Sequence, residues 1–253
     1  MSAGAMRYVA LGDSMSIDLY PALDAGEIDV AVALERRVDA GKIAPLGAAS
    51  LLARNDDGRW PEFTGRDLAS RWPRLTVQQL ATDGATIGDV FGDQVDSIDE
   101  SSDETIVTIT VGGNDLLSAY SSKPRPTLME RIVRDIAGAY DAMLDAITDK
   151  LPGARFVLTT VYDPSDRTGT IPGILEDVGK LPLRHLDALN AYIRDAAAAR
   201  PGAAVADVYA HFLGHGASVG AEHRWYWKRS LIEPGAIGAS EIRRVWLDAL
   251  EIE

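Results

Sequence analysis

The chain has 253 residues, 46% of them hydrophobic, with 25 basic and 38 acidic side chains and a formal net charge of -13. That length suits one large α/β domain able to fold without staples, and the absence of cysteine excludes disulfides, thiolate metal sites and a cysteine nucleophile. The acidic balance repels phosphate backbones and anionic bilayers, so neither nucleic acid nor a membrane is an expected partner.

Residues 1–7 leave no room for a basic stretch followed by an apolar signal core, and no apolar run reaches membrane-spanning length, which predicts a cytoplasmic protein. The first strand is expected over Arg7–Leu11, ending abruptly in Gly12-Asp13-Ser14. A long irregular segment, about 18–65, follows, with short helices expected at Val30–Val38 and Ala48–Ala53. Its length predicts an elaborated loop or lid over the strand end, inside a single domain spanning 1–253. Arg66–Arg71 reads as a helical turn stopped by Pro73.

Leu75–Ala81 is a second expected strand, with Gln78 and Gln79 disturbing its pattern, and Asp83-Gly84-Ala85-Thr86 is a turn. Ile87, Val90, Phe91, Val95 and Ile98 then recur at helical spacing. The β-branched run Thr105–Val111 is the clearest strand and ends in Gly112-Gly113-Asn114-Asp115. A long amphipathic helix with Pro126 in its first turn is followed by a strand at Arg155–Tyr162. A helix around Leu186–Ala196, a strand at Ala203–Val208, a histidine-bearing loop from Tyr209 to Pro234 and a final amphipathic helix complete the chain. The alternation predicts a parallel sheet with helices on both faces, in a flavodoxin-like arrangement whose strand order is not readable.

The polar turns after the first three strands fall on one edge of such a sheet, where ligands bind in open α/β folds. Ser14 is there a candidate nucleophile. Its own amide, the amide of Gly84 and the side-chain NH₂ of Asn114 are candidate oxyanion donors, the parts acyl transfer needs because its intermediate concentrates charge on one oxygen. Without histidine clusters or a calcium-loop spacing, no metal is assigned, and no cofactor is expected. The first turn also lacks the glycine pattern of a dinucleotide-phosphate loop.

In residues and in order, Gly12-Asp13-Ser14, Gly84 in Asp83-Gly84-Ala85-Thr86, and Gly112-Gly113-Asn114-Asp115 resemble the first three blocks of the SGNH, or GDSL, hydrolase superfamily. The resemblance implies a three-layer α/β/α sandwich around a central five-stranded parallel sheet. It implies an esterase, lipase or deacetylase activity, with Ser14 as nucleophile and Ser14, Gly84 and Asn114 as the oxyanion hole. The family's last block, Asp-x-x-His-Pro, is altered: Ser230-Leu231-Ile232-Glu233-Pro234 keeps the proline but places Glu233 where the histidine stands and Ser230 where the aspartate stands.

An ordinary carboxylate titrates near 4.3 and is a weak base for an alcohol unless burial raises it. Histidine suits neutral pH better. The expectation is therefore a relocated triad: Ser14 as nucleophile, His215 as general base and Glu233 orienting it, with His211 and His223 as competing bases. Glu233 as a simple cap of the last helix is the duller alternative. The expected substrate is a small or medium ester, an O-acetylated carbohydrate or a short acyl ester. The rival reading is a non-catalytic domain that lost its base and binds a carbohydrate or acyl ligand.

Overall fold

The run Met6–Gly12 forms strand β1, and all seven of its residues are buried. A strand buried throughout needs cover on both faces and partners on both edges, which the continuous apolar run Tyr8–Leu11 suits. The computed structural model, which describes residues 5–29, 43–101 and 103–252, supplies both. Strand β1 pairs in parallel with β2 (Leu75–Gln79) on one side and β3 (Glu104–Thr110) on the other. Strands β4 (Arg155–Thr159) and β5 (Ala203–Ala206) continue from β3, giving the order β2-β1-β3-β4-β5. The direction of winding reverses between β1 and β3, so the crevice for a ligand lies beyond the carboxyl ends of these two strands. Gln78 and Gln79 interrupt the apolar pattern of β2 because it is an edge strand: Gln78 Oε1 accepts from Arg7, and its Nε2 donates to Ser97 O at 2.8 Å.

Helices flank the sheet in two groups. One contains α1 (Leu19–Asp24), α2 (Ala48–Ala53), α3 (Leu68–Arg71), α8 (Val208–Phe212) and α9 (Ala236–Ala249). The other contains α4 (Ile87–Asp89, continuing as a π turn over Val90–Gln94), α5 (Gly113–Ser121), α6 (Pro126–Lys150) and α7 (Arg184–Ala199). Expected strand ends at Ala81, Tyr162 and Val208 are shorter in the structure, where the residues beyond β2, β4 and β5 already form the turns of the ligand edge. The expected helix at Val30–Val38 lies outside the described residues. Ala48–Ala53 is helical as expected, but Leu51 and Leu52 are fully buried and the helix packs on α9. That piece of the 18–65 segment is core. No helix among the described residues is long and apolar enough to cross a membrane.

Helices α1, α5 and α8 are elements that sequence reasoning missed, and α5 is the one that bears on the site. Gly112-Gly113 reads as a turn, yet Gly112, at φ +112°, is the residue from which the helix starts. Asn114 and Asp115 therefore stand on a first helical turn, with their backbone direction fixed.

Gly12 ends β1 at φ +126°, and a Cβ there would lie 1.9 Å from Thr110 O, on the neighbouring strand. Gly12→Ala combines a backbone conformation that L side chains avoid with an overlap against main chain. We expect a loss of about 3 kcal/mol or more, read by urea denaturation.

Candidate active site

Three bonds fold the chain sharply at the end of β1. Asp13 N donates to Thr110 O at 2.8 Å. The amide of Gln94 clamps Gly12 from both sides: Gly12 N donates to Oε1 at 2.8 Å, and Nε2 donates to Gly12 O at 2.8 Å. The turn presents Ser14 on the ligand edge, 7% exposed. The Ser14 N–H has no protein acceptor among the described residues, so it is open to a ligand. Gln94 lies on the helical face of Ile87 and Val90. A polar residue at a core position of an amphipathic pattern was the signal that could have found it.

Asn114 faces the same space. Its Nδ2 donates to Ala85 O at 3.0 Å, which fixes the amide and leaves its second hydrogen uncommitted. Asp115 accepts from Ile87 N at 3.1 Å. These two bonds tie the turn bearing Gly84 to the start of α5. Gly84 itself, at φ +73°, has no atom within 4 Å of where a Cβ would stand, and its N–H makes no protein hydrogen bond among the described residues. It does not line the cavity described below.

Glu233 reaches Ser14 from the far end of the chain. Its backbone is held by Trp227 N donating to Glu233 O at 2.9 Å, by an antiparallel bridge between Tyr226 and Pro234, and by the Tyr162 hydroxyl donating to Ile232 O at 2.7 Å. It does not cap the last helix. That position is taken by Asp24, whose Oδ2 accepts from Ala236 N at 3.0 Å. The Glu233 side chain is 8% exposed and lies against the Ser14 hydroxyl. The contact favours the charged carboxylate but falls short of an aligned hydrogen bond, and Glu233 Oε2 has no partner. Burial pushes the Glu233 carboxyl up to about 7; the Ser14 hydroxyl opposes the rise, and the charge of Asp83 adds to it. The neighbouring Asp13 is also pushed up to about 7, again by burial, against bonds from Met15 N–H and the Thr110 hydroxyl and helped by repulsion from Glu233 and Asp115.

The histidines are elsewhere. His215, expected as the base, has its ring stacked on Trp225 at 3.6 Å and its Nδ1 bonded to His223 O at 3.0 Å, and it does not line the cavity that holds Ser14. The reason is local. The Asp166 carboxylate collects Gly214 N, Gly216 N and Ser218 Oγ, which draws the loop toward the turn after β4. The glycines that promised reach are the residues by which the loop is pinned. His211 is paired with Glu241 at 2.8 Å, and His223 is an exposed side chain 3.7 Å from Glu222. His185 is buried beside Tyr120 with neither ring nitrogen bonded. The expected Ser14–His215–Glu233 triad is therefore not assembled. What the structure brings together is Ser14, Asn114, Asp13 and Glu233.

These four residues form one end of a cavity of about 690 Å³, including its open mouth. The rest of its wall is largely apolar and comes from α5, from residues 161–183 and from the start of α7. Among the described residues, no lysine, arginine or histidine lines it. The arrangement offers a hydroxyl with a carboxylate beside it, unpaired N–H donors nearby, and an apolar chamber leading away.

The profile of the GDSL-like lipase/acylhydrolase family matches residues 10–226, a range that contains Ser14, Gly84 and Asn114 and stops before Glu233. A search among curated protein sequences finds no match. Among solved structures, the extracellular lipase of Streptomyces rimosus is similar with a TM-score of 0.60 at 24% identity, covering 97% of this chain and 100% of that one. The phospholipase A1 of Streptomyces albidoflavus superposes with a TM-score of 0.58 at 22% identity, over 98% of each chain. The acetyl xylan esterase AlAXEase does so with a TM-score of 0.56 at 14% identity, over 96% of this chain and 99% of that one. At these identities the likeness establishes a shared fold.

Proposed function

The chain belongs to the GDSL-like lipase/acylhydrolase family, and from that premise we propose that it is a serine esterase in which Glu233 takes the place of the usual imidazole. The observation that carries this reading is a buried carboxyl, held near 7, against the hydroxyl of the serine in the family's first block. A base is most effective when its pKa lies near the working pH, and burial gives Glu233 the basicity that an exposed glutamate lacks.

In the proposed reaction, ionised Glu233 accepts the Ser14 proton as Ser14 Oγ attacks the ester carbonyl. The oxyanion that forms takes hydrogen bonds from the Ser14 N–H, the uncommitted hydrogen of Asn114 Nδ2 and the Gly84 N–H. Such preset donors contribute about 3–4 kcal/mol each where measured. Collapse of the intermediate expels the alkoxide, which takes the proton from Glu233 and leaves an acyl-Ser14 ester. Water then attacks that ester, with Glu233 accepting its proton, and the carboxylic acid and Ser14 are released. Microscopic symmetry lets one base serve both halves.

One observation favours a second reading, a domain that binds an acyl ligand without turnover: no imidazole faces Ser14. A serine-reactive fluorophosphonate separates the two. The hydrolase reading expects rapid labelling, with the phosphonate mapped to the Ser14 peptide by mass spectrometry. A folded protein that stays unlabelled favours the binding domain.

A further inference from the structure

We infer that the chamber leading from Ser14 is an acyl pocket for straight, apolar chains of medium length, walled by Leu116, Tyr120, Ile171, Leu181 and Leu186; the inference rests on the esterase reading for its orientation. The cavity is polar where Ser14, Asp13, Asn114 and Glu233 meet and, Asp163 apart, its other lining side chains are largely apolar. Three features select among ligands.

The first is the lack of spare hydrogen-bonding groups away from Ser14. The Tyr120 hydroxyl is spent on Pro182 O at 3.3 Å. Asp163 is spent on Ser165 N, Ser165 Oγ and Arg167 N, at 2.9, 2.5 and 2.8 Å. A sugar placed there would bury hydroxyls without partners, which is unfavourable. The chamber therefore takes the acyl side of the ester, and a carbohydrate alcohol is directed to the mouth.

The second is charge. Asp13, Asp163 and Glu233 line the cavity and, among the described residues, no cation does, so an anionic group inside it meets only carboxyl groups. A neutral ester enters; the carboxylate product is repelled by the groups that made it.

The third is length and rigidity. The wall from Asn114 to Tyr120 runs along α5, six residues at 1.5 Å each, or about 9 Å. The facing wall carries Ile171 and Leu181 and is braced rather than loose. Gly169 N donates to Ser165 Oγ at 2.8 Å, and Leu181 N donates to Gly169 O at 2.8 Å. A chain longer than the chamber must bend or protrude, whereas a shorter one leaves it partly empty.

Hydrolysis of p-nitrophenyl esters from acetate to palmitate reads this directly. Each methylene that enters is worth about fourfold in kcat/KM, the equivalent of about 0.8 kcal/mol per buried methylene. The expected profile therefore rises steeply from acetate to hexanoate or octanoate and falls for palmitate. Leu186→Trp, and independently Ile171→Trp on the facing wall, should lower the octanoate-to-acetate ratio at least tenfold, with circular dichroism confirming that each variant folds. A flat profile with Ser14 still labelled overturns the pocket and leaves the esterase standing. If no ester is cleaved and Ser14 is not labelled, it is the esterase reading that fails, and calorimetric titration of the Ser14→Ala protein then tests the pocket alone. Methyl octanoate binding more tightly than methyl acetate, with the difference abolished by Leu186→Trp, supports it. Equal binding or none overturns it.

Discussion

Glu233→Gln is expected to lower kcat/KM by roughly two to four orders of magnitude, the usual worth of a general base, while making the protein more stable at alkaline pH. The substitution keeps size and shape and removes only the charge. In the unmodified chain the rate should climb as pH rises through about 7, because Glu233 accepts a proton only when ionised, and then level off. The glutamine variant should lose that limb; any titration left near 7 belongs to Asp13, which is also pushed up to about 7. Stability moves the other way. The folded state holds the Glu233 proton up to about 7, against an ordinary value of 4.5, so between these values it binds more protons than the unfolded chain. Stability therefore falls as pH rises across that window and stays lowered above it. The variant escapes this cost, by on the order of 3 kcal/mol at pH 8 and nothing at pH 4, as read by urea denaturation at the two values. A variant with undiminished activity would remove Glu233 from the chemistry.

The second large effect belongs to Ser14, the proposed nucleophile. Ser14→Ala should reduce ester hydrolysis by roughly five orders of magnitude and abolish fluorophosphonate labelling, with little change in stability. Groups that act as one unit do not add. Once Ser14 is gone, Glu233 has no proton to accept, so the double variant Ser14→Ala/Glu233→Gln should be no slower than Ser14→Ala alone. A further large drop in the double variant would mean that the two residues act separately. Steady-state kinetics on the three proteins decides this.

The sequence carries the parts of the site that are local, and hides those that depend on folding. Gly12-Asp13-Ser14 is legible because a β-branched or bulky residue cannot replace Gly12 where its φ is +126° and Thr110 O stands close by. The departure at Glu233 is legible as a departure. Its chemistry is not, since the change from a weak base to one near neutrality comes from burial against Ser14, across the whole length of the chain. His215 misleads for the same reason. Its flanking glycines look like freedom, and only the fold reveals that Asp166 has already engaged their N–H groups. The strand order, from which the crevice position follows, is a property of crossover direction, and no residue pattern within a strand encodes it. Asp24, which fixes the start of α9, acts through a single bond to distant backbone and leaves no periodic trace, whereas Gln94, which clamps Gly12, shows only as a polar residue at a core position of its helix.

The bond from Asp24 to Ala236 spans 212 positions, and the meeting of Ser14 with Glu233 is as distant. Contacts of such separation carry a high loop-closure cost and form after nearer pairings have reduced it. Packing of the last helix is what brings Glu233 to Ser14, and burial there is what would make it a base in the proposed reaction. On the proposed mechanism, competence is thus tied to completion of the fold: chemistry begins only when two segments some two hundred positions apart have met.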